Sequence, residues 1–175
     1  INSFMGMPPV VVGLIVYLAL SRSGPLGVLG LLYTPSAMVI AQVLLITPIV
    51  VSLTRQTIEE LDSQYREYFL SLGIKRLPKV LTFLWEARFS LVTVCLAGFG
   101  RAISEVGAVM IVGGNIDHLT RVMTTAIALE TSKGDLELAM ALGVVLMLIA
   151  FSVNLLIALI RPSNNHSITS KMFSR

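Results

Sequence analysis

Between Arg55 and Arg88 the sequence turns charged, and apolar stretches long enough to cross a bilayer lie on both sides of it. That alternation restricts the chain to few folds. An apolar stretch of about 20 residues spans the hydrocarbon core as a helix, and a spanning helix satisfies its own backbone where no water is available. Only 13% of the residues are charged, against roughly 25% in a soluble domain. The expected fold is therefore all-α, a polytopic transmembrane helix bundle.

Four spans are expected. The first runs near Phe4–Leu20, with Pro8-Pro9 at its start and Gly13 inside it. Ser21–Pro35 carries the turn signal Gly24-Pro25-Leu26-Gly27, yet is apolar enough to read as a re-entrant or interfacial segment. The second span is near Ser36–Leu53, with a kink expected at Pro48. The third is near Ala87–Ile111 and carries Arg101 and Glu105. Polar residues follow from Gly113 to Asp135, with a short helix expected at Met123–Leu129. The fourth span is near Leu136–Ile160, and Ser163–Arg175 reads as a polar tail. In domain terms, 1–162 is one transmembrane domain with a loop at 55–86, and 163–175 is the tail. The sequence begins at Ile1, and the expectation is a fragment missing earlier spans.

Lys and Arg set the orientation. The charged stretch Arg55–Arg88 holds six and the C-terminal end adds Arg161, Lys171 and Arg175, nine in all, whereas the opposite side holds Arg22, Arg121 and Lys133. The positive-inside rule then puts the loop and the C-terminus in the cytoplasm of a multi-pass cell-membrane protein. The net charge of +3 is small and scattered, which argues against nucleic acid. The single Cys95 lies in an apolar run and reads as a small buried hydrophobe, with no disulfide or zinc site available. No metal site is expected.

Within the loop, Leu61, Tyr65, Tyr68, Phe69 and Leu72 recur at helical spacing and form one face. Acidic residues Glu59, Glu60 and Asp62 crowd what reads as the first turn, where the helix dipole favours them. Gly73 is placed to end the helix in the left-handed conformation, with Ile74 packing back on Phe69. Pro78 suits the first turn of a second helix. Such a helix lies either on lipid or in a groove of a partner protein. Periodicity leaves both open.

Glu67-Tyr68-Phe69 followed by Gly73 resembles the EAA loop of ABC importer permeases, whose pattern is Glu-Ala-Ala, three residues, then Gly. Two aromatics stand here for the alanines, and Trp85-Glu86 stands where the family closes with Leu-Pro. Met7-Pro8-Pro9-Val10-Val11-Val12-Gly13, Ser23-Gly24-Pro25-Leu26-Gly27 and Arg101-Ala102-Ile103-Ser104-Glu105-Val106-Gly107-Ala108 are similar to the molybdate/tungstate branch. Thr120–Thr131 is nearest the tungstate permeases.

The resemblance implies a membrane permease subunit of an ATP-driven importer for a tetrahedral oxyanion, tungstate first and molybdate second. It implies a homodimer around a pathway, a cytoplasmic ABC ATPase, an extracytoplasmic oxyanion-binding protein, and no catalysis or cofactor in this chain. ATP would sit on the partner, since the sequence has no phosphate-binding Gly-x-x-x-x-Gly-Lys-Ser/Thr loop. Tyr65, Glu67, Tyr68, Phe69, Leu72 and Gly73 would form the ATPase-coupling element. An ion-gradient-driven secondary transporter and a membrane scaffold are the alternatives.

Arg101 and Glu105 are spaced four apart, so that two intramembrane charges can pair. The pair either stabilises the bundle or attracts the anion. Gly100, Ser104 and Ala108 read as a small-residue stripe that lets another helix approach. Gln42 reads as an interhelical bond or a pathway residue. Asn115, Asp117 and Arg121 are candidates for contact with the binding protein, and His118 reads as a loop residue.

Overall fold

The computed structural model describes residues 6–71, 73 and 76–160. Among these, seven α-helices follow one another: α1 (Pro9–Leu20), α2 (Pro35–Ser71), α3 (Arg76–Glu86), α4 (Arg88–Ile103), α5 (Gly107–Gly113), α6 (Met123–Lys133) and α7 (Leu136–Ile160). The helical expectation holds. Residues 161–175, including the expected tail, lie outside the described residues, as do Leu72 and Ile74.

Two helices, α2 and α7, are long and apolar enough to cross a membrane, and α3 with α4 makes a third candidate bent by 66°. The span expected at Phe4–Leu20 is a helix of only 12 residues, about 18 Å long at helical rise. The span expected at 87–111 is broken. Helix α4 stops at Ile103, and α5 begins at Gly107 after a non-helical step. Ser21–Thr34 is a run of turns with one 3-10 turn at Gly27–Leu29, and Val28 there is 99% exposed.

The largest departure is α2. It continues for 37 residues, through Pro48 and far into the charged region. The second span and the loop helix are therefore one rod of about 55 Å, against a hydrocarbon core of about 30 Å. Glu59, Glu60 and Asp62 consequently sit mid-helix and not in a first turn. Their charges are met by side chains instead. Arg55 Nε pairs with Glu59 at 2.6 Å, Gln56 donates to Glu60 at 3.2 Å, and Lys79 pairs with Asp62 at 2.5 Å.

The core sits where α1, the N-terminal part of α2, and α5 meet. Val12, Val16, Leu20, Ala37, Ala41, Leu45, Ala108 and Val112 are buried together. Small residues permit this close packing. A Cβ on Gly13 would stand 2.7 Å from the Ala108 Cα, so a larger residue would force α1 and α5 apart. Gly98 lets α4 approach Ile46 and Val50 of α2, 3.0 Å from where its Cβ would stand. The expected stripe of Gly100, Ser104 and Ala108 is split by the helix break. Gly100 has open space around it, and Ala108 serves α5. Cys95 is exposed on α4 and not buried, because that face of α4 points away from the core.

Helix α7 packs chiefly on α6 across the Gly134 turn. Most of its apolar surface is free, with Met140, Met147 and Phe151 71, 72 and 65% exposed. An apolar solvent suits that surface.

Gly13→Val is expected to destabilise the fold by about 1–3 kcal/mol through overpacking. Thermal melting of the detergent-purified protein should report it. Gly100→Ala, which meets open space, should melt like the parent.

Candidate functional site

Two clusters carry the chemistry: the hairpin beyond the membrane-length part of α2, and the break between α4 and α5.

In the hairpin, α3 folds back on the end of α2. Leu70 C=O accepts the Gly73 N–H at 3.3 Å, and Gly73 has φ +61, the left-handed stop expected from its position. Pro78 is the third residue of α3, as its missing N–H permits. Phe69 stacks edge-on against Phe83 with ring centroids 5.4 Å apart, and Tyr65 lies 6.1 Å from Phe69. Lys79 Nζ stands 5.8 and 5.4 Å from the two phenylalanine rings while it pairs with Asp62. Cation–π contact and ion pair thus act on one ammonium group.

The periodic face read from the sequence is therefore divided. Phe69 is half-buried against α3, and Phe83 is buried. Tyr65, Glu67 and Tyr68 remain exposed, Tyr68 by 65% and the neighbouring Leu70 by 72%. Leu72, the last member of the face, lies outside the described residues. Sequence reasoning missed Phe83 and Lys79. The signal was the strong amphipathicity of α3, which needs a partner for its Phe83 side.

The second cluster collects Gln42, Arg101 and Glu105. Arg101 is in the last turn of α4. Glu105 lies in the break and is only 5% exposed. Its Oε2 is 3.4 Å from Arg101 Nη2, and its Oε1 accepts the Ala108 N–H at 3.1 Å. The Glu105 C=O accepts from Thr124 Oγ1 of α6 at 3.2 Å. Gln42 Nε2 donates to the Ala102 C=O at 3.5 Å, joining α2 to the end of α4. Gln42, distant in sequence, is thus brought to the break that holds Arg101 and Glu105.

Arg101 also lines a cavity of about 210 Å³ between α1 and α2, walled otherwise by apolar residues such as Val12, Leu45 and Pro48. Its side chain is 36% exposed. A guanidinium has five N–H donors, and the ion pair with Glu105 engages its Nη2. The arrangement can attract an anion and can equally hold the break together.

In the 113–122 loop, Thr120 Oγ1 donates to the Gly113 C=O at 2.6 Å and accepts from the Ile116 N–H at 2.9 Å. Asp117 is occupied by Arg121 at 2.8 Å and by the His118 N–H at 3.1 Å. Asn115 and His118 hold left-handed φ values of 49 and 56. The loop is thus shaped from within, and His118 is an exposed loop residue.

Glu105→Ala is expected to cost about 1–3 kcal/mol, because it leaves a buried N–H unpaired. Glu105→Gln keeps an acceptor for that N–H and should cost less. Melting temperatures of the two variants in detergent check the order.

Residues 1–166 match the family described as the inner membrane component of binding-protein-dependent transport systems. The chain is 47% identical over 155 residues to the tungstate uptake system permease protein TupB of Peptoclostridium acidaminophilum, covering 89% of this chain and 68% of that protein. It is 45% identical over 161 residues to a probable anion ABC transporter permease protein of Haloferax volcanii, covering 89% and 69%. It is 44% identical over 154 residues to the tungstate uptake system permease protein TupB of Campylobacter jejuni, covering 88% and 64%. The chain thus spans about two thirds of the length of these relatives. No solved structure matches it.

Proposed function

The chain belongs to the family of inner membrane components of binding-protein-dependent transport systems, and from that premise we propose that it forms the pathway of an ATP-driven oxyanion importer. Tungstate is the first candidate substrate and molybdate the second, since two of the relatives above are tungstate uptake permeases. The partners in this reading are a cytoplasmic ABC ATPase, a second permease copy and an extracytoplasmic binding protein. The hairpin of α2 and α3 and the C-terminus lie in the cytoplasm.

One observation carries the coupling part of the reading. Helix α2 runs unbroken from the core near Ala37 to the hairpin tip at Ser71. About 20 residues suffice to span the hydrocarbon core along its normal, so α2 is long enough to cross at a tilt, its last turns projecting only to the cytoplasmic headgroup surface with α3 against them. A helix transmits displacement along its length without an intervening loop to absorb it. The Asp62–Lys79 pair and the Phe69–Phe83 contact brace that projection. Tyr68 and Leu70 then offer exposed apolar area at the tip for an ATPase groove. Phe69 acts from behind, as the brace.

At the break, Arg101 offers a partly satisfied cation to a passing oxyanion, while Glu105 keeps it from binding too tightly. Passage requires affinity low enough for release. Gln42 holds the end of α4 in place.

Gly73→Val is expected to weaken ATPase co-purification severalfold, because a β-branched residue costs about 1–2 kcal/mol in the left-handed conformation. Undiminished co-purification and ATP-dependent tungstate uptake in that variant would contradict the coupling role. Arg101→Gln should lower uptake while leaving co-purification intact; unchanged uptake removes the anion-attracting role.

A further inference from the structure

Where α4 begins, the chain turns through 66° into α3. A span running near the bilayer normal therefore leaves α3 close to the membrane plane. Helix α3 turns Phe83 and Lys79 toward α2. Its opposite arc carries Val80, Leu81, Leu84 and Trp85, which are 52, 62, 46 and 70% exposed. An in-plane helix buries such an arc at the headgroup–acyl boundary, and tryptophan concentrates at that level.

Arg88 stands at the elbow. Its Nη1 donates to the Trp85 C=O at 2.7 Å. Its guanidinium lies 4.7 Å from the Trp85 ring centroid and 4.5 Å from that of Phe89. Among the described residues no carboxylate lies within ion-pair distance of it. From Arg88 an apolar groove of about 600 Å³ follows α4 past Leu91, Cys95 and Phe99, with Val153 of α7 on its far side. An uncompensated cation at one end of an apolar trough fits an amphiphile with an anionic head.

We propose that this elbow binds one phospholipid of the bilayer, its phosphate on Arg88 and one acyl chain along the groove, with α3 lying in the interface. Two observations favour lipid over a protein partner. Arg88 has the charge to meet a phosphate. The groove also opens onto the exposed apolar surface of α7, which a bilayer covers without any specific contact. The inference needs only the membrane setting of the family and is independent of which anion is carried or how ATP is coupled.

The experiment uses the full-length permease with its partner subunits, in nanodiscs of phosphatidylcholine and phosphatidylglycerol. A nitroxide is placed by Leu81→Cys or by Thr82→Cys, with native cysteines, Cys95 included, replaced by alanine. Oxygen should relax the label at 81, and a water-soluble nickel reagent the label at 82. A label at 81 reached by nickel, or shielded from both reagents as under a protein, overturns the proposal.

Native mass spectrometry tests the headgroup. Arg88→Gln should retain about tenfold less phosphatidylglycerol, the loss of one charge-assisted hydrogen bond, whereas Arg55→Gln should retain it fully. Equal retention in Arg88→Gln, equal loss in both variants, or displacement of the lipid by free glycerol phosphate each overturns the seat.

Discussion

Breaking a helix inside a membrane exposes backbone groups that water cannot reach, and an unpaired group there costs several kcal/mol. The break after Ile103 is held by Glu105. Its carboxylate takes the Ala108 N–H with one oxygen and faces Arg101 with the other, and its carbonyl accepts from Thr124. Three helices thereby converge on one residue. Without it the Ala108 N–H at the start of α5, beside the close approach to Gly13, would lose its acceptor. The carboxylate is buried and faces the Arg101 guanidinium, and breaking such a pair by removing one partner is costly. The same pairing leaves a partly exposed guanidinium beside an apolar cavity.

The other half of the molecule depends on continuity. Because α2 is not interrupted between the core and the hairpin, one helix supplies both Ala37, Ala41 and Leu45 to the core and Phe69 to the contact with Phe83 of α3. The elbow between α3 and α4 closes the loop back to the membrane. Core, rod, hairpin and elbow form a circuit that ends beside the place where it began, since Gln42 ties α2 to the far end of α4.

Much of this was legible from residue order. Gly73, Pro78 and the acidic, basic and apolar periodicities reported a hairpin beyond a span, and the paired spacing of Arg101 and Glu105 reported their contact. Other features were not legible. Glu59, Glu60 and Asp62 resemble a helix start, because acids favour a first turn; only the backbone reveals that the helix was already formed. Phe69 resembles an outward anchor, because periodicity assigns a face without saying which neighbour covers it. Cys95 resembles a core residue, because apolar character does not distinguish protein interior from lipid.

The sequence alone determined an all-helical membrane fold and, through its motifs, the family to which the chain belongs. The fold follows from hydropathy and local conformational preference, which act on neighbours along the chain. Only the tertiary structure decided that the second span and the loop helix are one rod, that the third span is broken at Glu105, and that Gln42 meets the Ala102 carbonyl at the end of α4. Those outcomes are set by packing between segments distant in sequence, where a methyl group at Gly13 or a ring at Phe83 decides which surfaces touch.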